Sequence, residues 1–469
     1  MRKHLFFWGA AILCLACGGS NGNPLQDAGG GTDGTMGDDT GDMTDTGVDT
    51  GADTFTCDNL ECQIVKCEAG STSVSGVVTT PNGQYPIYNA QVYVPNAATT
   101  AIADGVSCTA CQAPRSCKPL ISGQLAIATT DAKGAFTLKD VPVGANIPLV
   151  VQLGKWRREV TIPNVTACSD NPLAKDLVRL PKNQSEGHMP LIAMQTGCDQ
   201  TECTVLQRMG IADTEFTGPT GNGRIHMYRG IDANQGLPAN PGNAYTLWGN
   251  LQSMKKYDLL VNACECSLYA RDSMGTAYDN LKSYLEAGGR FIGNHYHYNW
   301  FANSTQCNNP TCKGPADFNT VADWGQSQPN NQPINVETAH PRGTAFATWL
   351  MTTNASTTLG QLTMTNGDLR NDVRAITSPT TRWLSLMGNG PQTVYLTFNT
   401  PTTGMNQCGR AGFADFHLRT GGGGGTWPST ICQVMPQTPQ GELAFTFFFF
   451  DSFSCVQDDT KAPISPPTQ

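Results

Sequence analysis

From residue 187 onward, short apolar runs alternate with segments of helical spacing, and this alternation limits the possible folds more than any other feature. The runs "PLIAMQTG", "GRIHMYRG", "DLLVNACE" and "RFIGNH" are typical of strands, and the amphipathic "MGTAYDNLKSYLEAGG" before the last of them is typical of a helix. Strands separated by helices of this length form right-handed βαβ units. The sequence therefore predicts an α/β domain with a mostly parallel sheet over residues 187–455.

Residues 57–186 show a different pattern, in which polar and apolar residues alternate. The stretch "TTDAKGAFTLKDVPVG" places a turn at residues 131–134 between two runs that are typical of strands. Its element order resembles the carboxypeptidase regulatory-like domains, small β-sandwiches of transthyretin type, over about residues 72–166. That resemblance implies a spacer or binding module. We therefore expect a multidomain chain, with an N-terminal β-sandwich followed by the α/β domain.

The start of the chain has the features of an export signal. Arg2 and Lys3 precede the apolar run "LFFWGAAILCLA", and Cys17 follows. The end of this run resembles a bacterial lipobox, which implies a signal peptide over residues 1–16 and a lipid on Cys17. Lipid chains would anchor the protein to the outer membrane or cell surface of the bacterial envelope. Ordinary secretion, with cleavage near the same point, is the alternative.

Residues 17–56 have the composition of a flexible linker. Residues 18–56 contain eight Asp and no Lys or Arg, so they account for most of the net charge of −9. A segment of Gly, Asp and Thr without large apolar residues cannot bury a core. The remaining chain is only slightly acidic and has no basic stripe, so a nucleic-acid partner is not expected.

Cysteine usage agrees with export. Besides Cys14 in the predicted signal and Cys17, sixteen cysteines remain, which allows as many as eight disulfides in an oxidising compartment. Cys264 and Cys266 are expected to form disulfides. The run "TPQGELAFTFFFFD" begins with Thr-Pro, which favours a buried closing helix followed by a disulfide at Cys455. Residues 456–469, rich in Pro, are predicted to be a disordered tail.

The α/β part carries a second resemblance. The segments "YLEAGGRFIGNH" and "CGRAGFADFH" resemble those of trehalose-utilisation-type proteins, relatives of class I glutamine amidotransferases, over about residues 188–455. In amidotransferases a nucleophilic Cys follows the strand at this turn, but this chain has His295 in that place. Amidotransferase chemistry with a Cys nucleophile is therefore not expected, and the domain is interpreted as a degenerate relative.

Binding sites in open α/β sheets lie beyond the carboxyl ends of the strands, and polar residues cluster at those ends here. His295, Glu265 and His417 are predicted as catalytic residues. The predicted ligand-binding residues are neighbours of these in sequence: His297, Tyr296, Tyr298, Trp300 and Asp415.

Four interpretations of this set stay open. Two histidines and a carboxylate suit a divalent metal, although no residue is assigned as a metal ligand and no cofactor is predicted. One histidine beside a carboxylate suits general acid/base catalysis. The aromatic residues suit stacking against a sugar. In the fourth interpretation, His295 and His297 only satisfy buried carbonyl groups.

Two classes of function follow from the sequence. The first is a lipid-anchored module that binds carbohydrate or another component of the cell envelope. The second is a carbohydrate-active enzyme, a hydrolase or related, that uses His295 with Glu265 or His417, and a metal where one is bound. The sequence does not decide between them.

Overall fold

A computed structural model describes residues 57–108, 121, 123–231, 236–270, 276–325, 333–364, 368–386, 392–418, 427 and 439–464. The predicted signal peptide, Cys17 and the predicted linker lie outside these residues. Thr56–Gln469 forms one compact unit. No helix among the described residues is long and apolar enough to cross a membrane.

The amino-terminal part contains two small sheets, as the alternating pattern of the sequence predicts. The first has the strand order β4-β1-β7 and the second has the order β3-β2-β5-β6. Their strands are β1 (Ser73–Val77), β2 (Gln91–Pro95), β3 (Gln124–Thr129), β4 (Ala135–Lys139), β5 (Gly144–Leu153), β6 (Trp156–Val165) and β7 (Asp170–Pro172). The predicted turn before β4 is present, because Oδ1 of Asp131 accepts hydrogen bonds from the backbone N–H groups of Lys133 and Ala135.

The rest of the chain is built on one large mixed sheet. Its order is β11-β10-β8-β12-β13-β20-β19-β18-β15-β16, and β9 pairs with β10. The strands are β8 (Ile192–Thr196), β9 (Phe216–Thr217), β10 (Ile225–Arg229), β11 (Gly242–Asn243), β12 (Leu259–Asn262), β13 (Arg290–Asn294), β15 (Ile334–Val336), β16 (Gln361–Leu362), β18 (Thr381–Leu386), β19 (Gln392–Thr400) and β20 (Gly409–Ala414), while β14 (Ala322–Trp324) and β17 (Val373–Ile376) form a separate pair.

The parallel part of this sheet agrees with the βαβ prediction. Strands β8, β10, β12, β13 and β20 pair in parallel. Pairing becomes antiparallel at β19 and stays so through β18, β15 and β16. The carboxyl ends of β8, β12, β13 and β20 consequently lie side by side at one edge of the sheet.

The helices are mostly short. They are α1 (Thr201–Cys203), which continues as a π-helix over Thr204–Met209, α2 (Ala244–Trp248), α3 (Leu251–Met254), α4 (Ala277–Glu286), α5 (Ala316–Asn319), α6 (Pro341–Thr352) and α7 (Pro439–Asp451). The segment "AYTLWGNLQSMKKY" forms the two short helices α2 and α3 and not one continuous helix. The helix stops at Gly249, and Asn250 starts a new one because its side chain accepts the backbone N–H of Ser253.

The closing helix α7 joins the two parts of the chain. Phe450 packs against Trp156 of β6 with ring centroids 5.8 Å apart, and Phe453 lies equally close to the same indole. Apolar side chains of the small sheets and of the large sheet belong to one continuous buried cluster. A disulfide between Cys108 and Cys408 adds a covalent link. Residues 57–186 and the part of the chain from residue 187 onward therefore share a core.

The prediction of a disordered tail from residue 456 is wrong for residues 456–464. Asp459 is 3% exposed and accepts a charge-assisted bond from Arg410 at 2.5 Å and another from Arg342. Those two buried guanidinium groups need buried counter-charges, which Asp459 and Asp451 supply. Cys455 is disulfide-bonded, as predicted.

Candidate functional site

Three neighbouring parallel strands bring the site together. Cys264 lies two residues beyond β12, His295 directly follows β13, and His417 lies three residues beyond β20. Asn262 is level with Gly293 in the β12–β13 pair, and Gly293 is level with Phe413 in the next pair. Because the strands end at nearly the same height, the side chains that follow them meet at one edge.

His295 stands at a tight turn between β13 and a 3₁₀ helix over His295–Trp300. Its φ angle of 44° lies in the left-handed region that residues other than glycine rarely adopt. Such strained positions cluster at functional sites, where the surrounding structure holds them. Gly293 permits the turn, since a Cβ atom there would lie only 3.0 Å from Cβ of His297 and 2.8 Å from the ring of Phe291.

The side chains of Cys264, His295 and His417 touch. Sγ of Cys264 lies 3.0 Å from Nδ1 of His295, and Nε2 of His417 lies 2.8 Å from the same nitrogen. All three donor atoms lie within 4.8 Å of one another. The predicted meeting of His295 and His417 is therefore present in the structure.

Cys264 is the one cysteine among the described residues that is not in a disulfide. The expectation that it would be bonded is wrong, because Cys198 pairs with Cys266 instead. The Cys264 thiol is fully buried and accepts the backbone N–H of Cys266 at 3.4 Å. A fully buried thiol cannot reach a substrate as a nucleophile without a rearrangement.

Two buried carboxyl groups stand behind the histidine rings. Oδ1 of Asp199 lies 3.4 Å from Nδ1 of His417, and Oδ2 of Asp372 lies 3.9 Å from Nε2 of His295. Neither oxygen has a hydrogen-bond partner among the described residues. The other oxygen of Asp199 is held by the side-chain amide of Asn294 at 2.5 Å.

Arg370 is the cationic side chain next to the histidines. Its Nε donates to Nε2 of His417 at 3.2 Å, and its Nη2 lies 2.8 Å from Nδ1 of the same ring. Its own carbonyl accepts from the side chain of Gln392, and the carbonyl of Asp415 accepts its backbone N–H. Nη1 of its guanidinium donates to the carbonyl of Leu369 at 2.8 Å, and the residue as a whole is partly exposed.

Burial disfavours the charged forms of the histidines, acids and thiol of the site. It lowers the pKa of His295 to about 3 and that of His417 to about 2, with Arg370 adding to both effects and His295 adding to the second. Burial also raises the pKa of Asp199 to about 8 and that of Asp372 to about 7. The pKa of the Cys264 thiol is likewise raised by burial. Both imidazole rings are therefore neutral and have nitrogen lone pairs available.

The other predicted residues lie around this centre in different roles. Glu265 is fully buried and its Oε1 accepts the backbone N–H of Ile231 at 2.8 Å, so it stands outside the cluster of donor atoms. Asp415 is also buried and accepts the backbone N–H groups of Asp372 and Val373. These bonds position Asp372.

The predicted aromatic surface is reduced to one ring. Tyr298 is 4% exposed and Trp300 is fully buried in the core against Trp248. His297 is also fully buried, because its Nε2 bonds the carbonyl of Ala263 at 2.8 Å and its Nδ1 accepts from the indole of Trp300. The chain turns into a 3₁₀ helix that directs these three side chains inward, so they are not exposed to a ligand in this structure. Tyr296 stays partly exposed against His295, with ring centroids 3.8 Å apart.

Sequence reasoning missed Asp199, Asp372 and Arg370. Asp199 lies three residues beyond β8, so the rule that singled out the other strand ends also applies to it. Asp372 and Arg370 come from the segment before β17, which lies outside the parallel strands, and no sequence signal marked them.

Comparison with known proteins gives no family. The chain matches no family profile and no curated protein. Among solved structures, a β-galactosidase from Rahnella sp. R3 aligns over 56% of this chain and 30% of its own, at 13% identity and a TM-score of 0.27. A cytoplasmic protein from Salmonella typhimurium aligns over 56% of this chain and 98% of its own, at 12% identity and a TM-score of 0.28.

Proposed function

We propose that the protein is an enzyme of the bacterial cell envelope that hydrolyses a carbohydrate or a related envelope component. The reaction would take place at the carboxyl ends of β12, β13 and β20. The observation that carries this proposal is the contact of His295, on its strained turn, with both His417 and Cys264.

The arrangement supports hydrolysis in two chemical ways. A neutral imidazole at the edge of a site can accept a proton from an attacking water molecule. It can also bind a metal ion that makes the bound water acidic. Both routes need an unprotonated imidazole, and the burial of His295 disfavours its protonated form. The same lowered pKa makes the ring a weaker general base.

The remaining features are proposed from the sequence. A lipid on Cys17 would anchor the chain to the membrane, and residues 57–186 would act as a regulatory-like β-sandwich that holds the reactive part away from it. Residues 187–455 would be a degenerate amidotransferase-like domain of the trehalose-utilisation type. The two small sheets and the parallel strand order support both assignments without establishing either family.

A binding module without catalysis is less well supported. Stacking against a sugar needs exposed aromatic faces, but Tyr298 and Trp300 are in the core. Tyr296 is the single predicted aromatic residue left beside His295. It suits one stacking contact with a substrate ring, which an enzyme needs as well.

The test is a screen for hydrolysis of oligosaccharides and acylated sugars by the purified full-length protein, followed by binding measurements with the same panel. We expect the His295→Ala variant to lose at least 100-fold in activity and to keep a nearly unchanged thermal midpoint. His340→Ala is the matched control, because that histidine caps α6 away from the site. Full activity of the His295 variant would contradict the proposal, and sugar binding without turnover by the wild type would favour the binding module.

A further inference from the structure

We propose that Cys264, His295 and His417 form a binding site for a transition-metal ion of the zinc type. The ligands would be the Cys264 thiolate, Nδ1 of His295 and Nε2 of His417. This site deepens the proposed function and rests on it, because the ion would supply the reactive centre at the same strand ends.

The positions of the three donor atoms suit one ion. They lie within 4.8 Å of one another, and the two contacts to Nδ1 of His295 measure 3.0 Å and 2.8 Å. Around a tetrahedral zinc ion with bonds of about 2.0–2.3 Å, neighbouring donor atoms lie about 3.3–3.6 Å apart. The two contacts to His295 would have to widen by about 0.5 Å, and Sγ of Cys264 and Nε2 of His417, which lie up to 4.8 Å apart, would have to approach each other by about 1 Å, both through side-chain torsions.

The nitrogens that face away from the proposed ion support the assignment. Metal-binding histidines usually direct their second ring nitrogen at a carboxylate or a carbonyl, which fixes the tautomer. Nε2 of His295 faces Oδ2 of Asp372, and Nδ1 of His417 faces Oδ1 of Asp199, at 3.9 Å and 3.4 Å. Both histidines thus present the intended nitrogen to the cluster and have a buried acid near the other one, although Nη2 of Arg370 lies closer to Nδ1 of His417, at 2.8 Å.

Those two acids are placed to face the second ring nitrogens of the histidines. Asp199 is fully buried and Asp372 is 2% exposed, and the oxygen that faces the histidine has no hydrogen-bond partner among the described residues. Asn294 and the backbone N–H of Leu418 hold the second oxygen of Asp199. A buried polar atom left unbonded is costly, so these oxygens point to a missing positive or hydrogen-bonding group nearby.

The donor set also indicates which ions would bind. A thiolate and two imidazoles are soft to intermediate ligands, which favour Zn²⁺, Co²⁺ or Cu²⁺ over Mg²⁺ and Ca²⁺. Three protein ligands leave one position of a tetrahedron for water or substrate, as in catalytic zinc sites. The sequence prediction of a site with two histidines and a carboxylate is thereby changed, with a thiolate bound directly and the carboxylates behind the histidines.

Arg370 is the feature that opposes a metal. Its Nε donates to Nε2 of His417, the nitrogen assigned to the ion, so binding requires that this bond be given up. Arg370 is partly exposed as a residue, so an outward swing is open to it, but that swing would also break the bond from Nη1 to the carbonyl of Leu369. In the competing assignment, the Arg370 guanidinium is the cation of the site, and the site binds an anion such as phosphate.

A metal titration of the chelator-treated full-length protein in detergent separates these assignments without any substrate. We expect one Co²⁺ per chain, with a thiolate-to-cobalt absorption band that added Zn²⁺ removes. Cys264→Ser should abolish the band and His417→Ala should weaken binding at least tenfold, whereas His340→Ala should change neither. Arg370→Gln should bind Co²⁺ more tightly than the wild type.

Three results would overturn the metal site. They are no Co²⁺ binding by the folded protein, Co²⁺ binding without the thiolate band, and Co²⁺ binding by the Cys264→Ser and His417→Ala variants that equals binding by the wild type. Binding of inorganic phosphate that Arg370→Gln abolishes, with no Co²⁺ binding, would establish the anion site instead. Tight Co²⁺ binding without hydrolysis of any sugar would leave the metal site standing and reject the proposed function.

Discussion

Nε2 of His417 lies 2.8 Å from Nδ1 of His295, although 122 residues separate them in the chain. The contact follows from one strand pairing, in which Asn294 at the end of β13 is level with Ala414 at the end of β20. The residues that follow these two ends are carried to the same place. The candidate site therefore depends on the register of β13 against β20.

Gly293→Ala should disturb the turn that presents His295. The added Cβ would lie 2.8 Å from the Phe291 ring and 3.0 Å from Cβ of His297, so the turn must shift. We expect a loss of about 1–3 kcal/mol in the free energy of unfolding, the usual cost of overpacking. Gly441→Ala in α7 is the control, because a Cβ there makes only ordinary contacts and alanine favours a helix. Equal urea midpoints for the two variants would contradict this account.

The Cys264 thiol should be unreactive in the folded protein. It is fully buried and its pKa is raised, so little thiolate forms and reagents cannot reach it. Under non-reducing conditions, wild type and Cys264→Ser should differ by one titratable thiol after unfolding in guanidinium chloride and by none before it. Immediate labelling of native wild type at this residue would show that the crevice opens to solvent.

Phe450→Ala should weaken the whole of residues 57–464 together. The ring fills space against Trp156 in the shared core, and a Phe-to-Ala change at a buried site costs about 3–5 kcal/mol. Calorimetry should show one transition at a lower temperature in the variant. Leu359→Ala, at a side chain that is 60% exposed, should leave the midpoint nearly unchanged. Two separate transitions in the variant would mean that the core is not shared.

Stability should fall in acid partly through Glu186. The Arg179 guanidinium, bonded to both carboxylate oxygens, lowers the pKa of Glu186 to about 2, with help from the backbone N–H of Lys182. A lowered pKa in the folded state gives stability that is complete above the unfolded value near 4.5 and is lost as the pH falls towards 2.

Glu186→Gln should remove that contribution, which we place at about 2 kcal/mol after allowing for partial exposure. Urea unfolding at pH 7 and pH 3 measures it: the gap between wild type and variant should narrow at the lower pH. The surface pair of Glu286 with Lys282 provides the comparison, and Glu286→Gln should cost less than about 0.5 kcal/mol at either pH. A gap for Glu186→Gln that widens in acid would have the wrong sign.

The sequence pattern was enough to predict the edge at which the site lies. Apolar runs separated by helical segments fix the order of parallel strands, and the residues just beyond them, His295 and His417, follow from that order. Pairing of cysteines does not follow in the same way. Cys198, Cys264 and Cys266 all stand near strand ends, and three-dimensional geometry selects which two of them bond.

The prediction from alternating side chains was wrong where the strand β13 ends and a 3₁₀ helix begins. A strand that continued past His295 would expose every second side chain, but the chain turns into a 3₁₀ helix and buries Trp300 completely. The prediction of a disordered carboxyl-terminal tail was wrong for another reason. Asp459 is buried because two distant arginines need it, and composition cannot reveal a long-range demand of that kind.

The packing of α7 on β6 has a consequence for the order in which the chain emerges during synthesis. Trp156 precedes Phe450 and Phe453 by almost 300 residues in the chain. The apolar face of the small sheets around Trp156 therefore stays uncovered until α7 has been synthesised. If a ribosome stalls before residue 439, or a protease removes the chain from there onward, the fragment that remains would be prone to aggregate. Quality-control factors should therefore recognise truncated copies by that face.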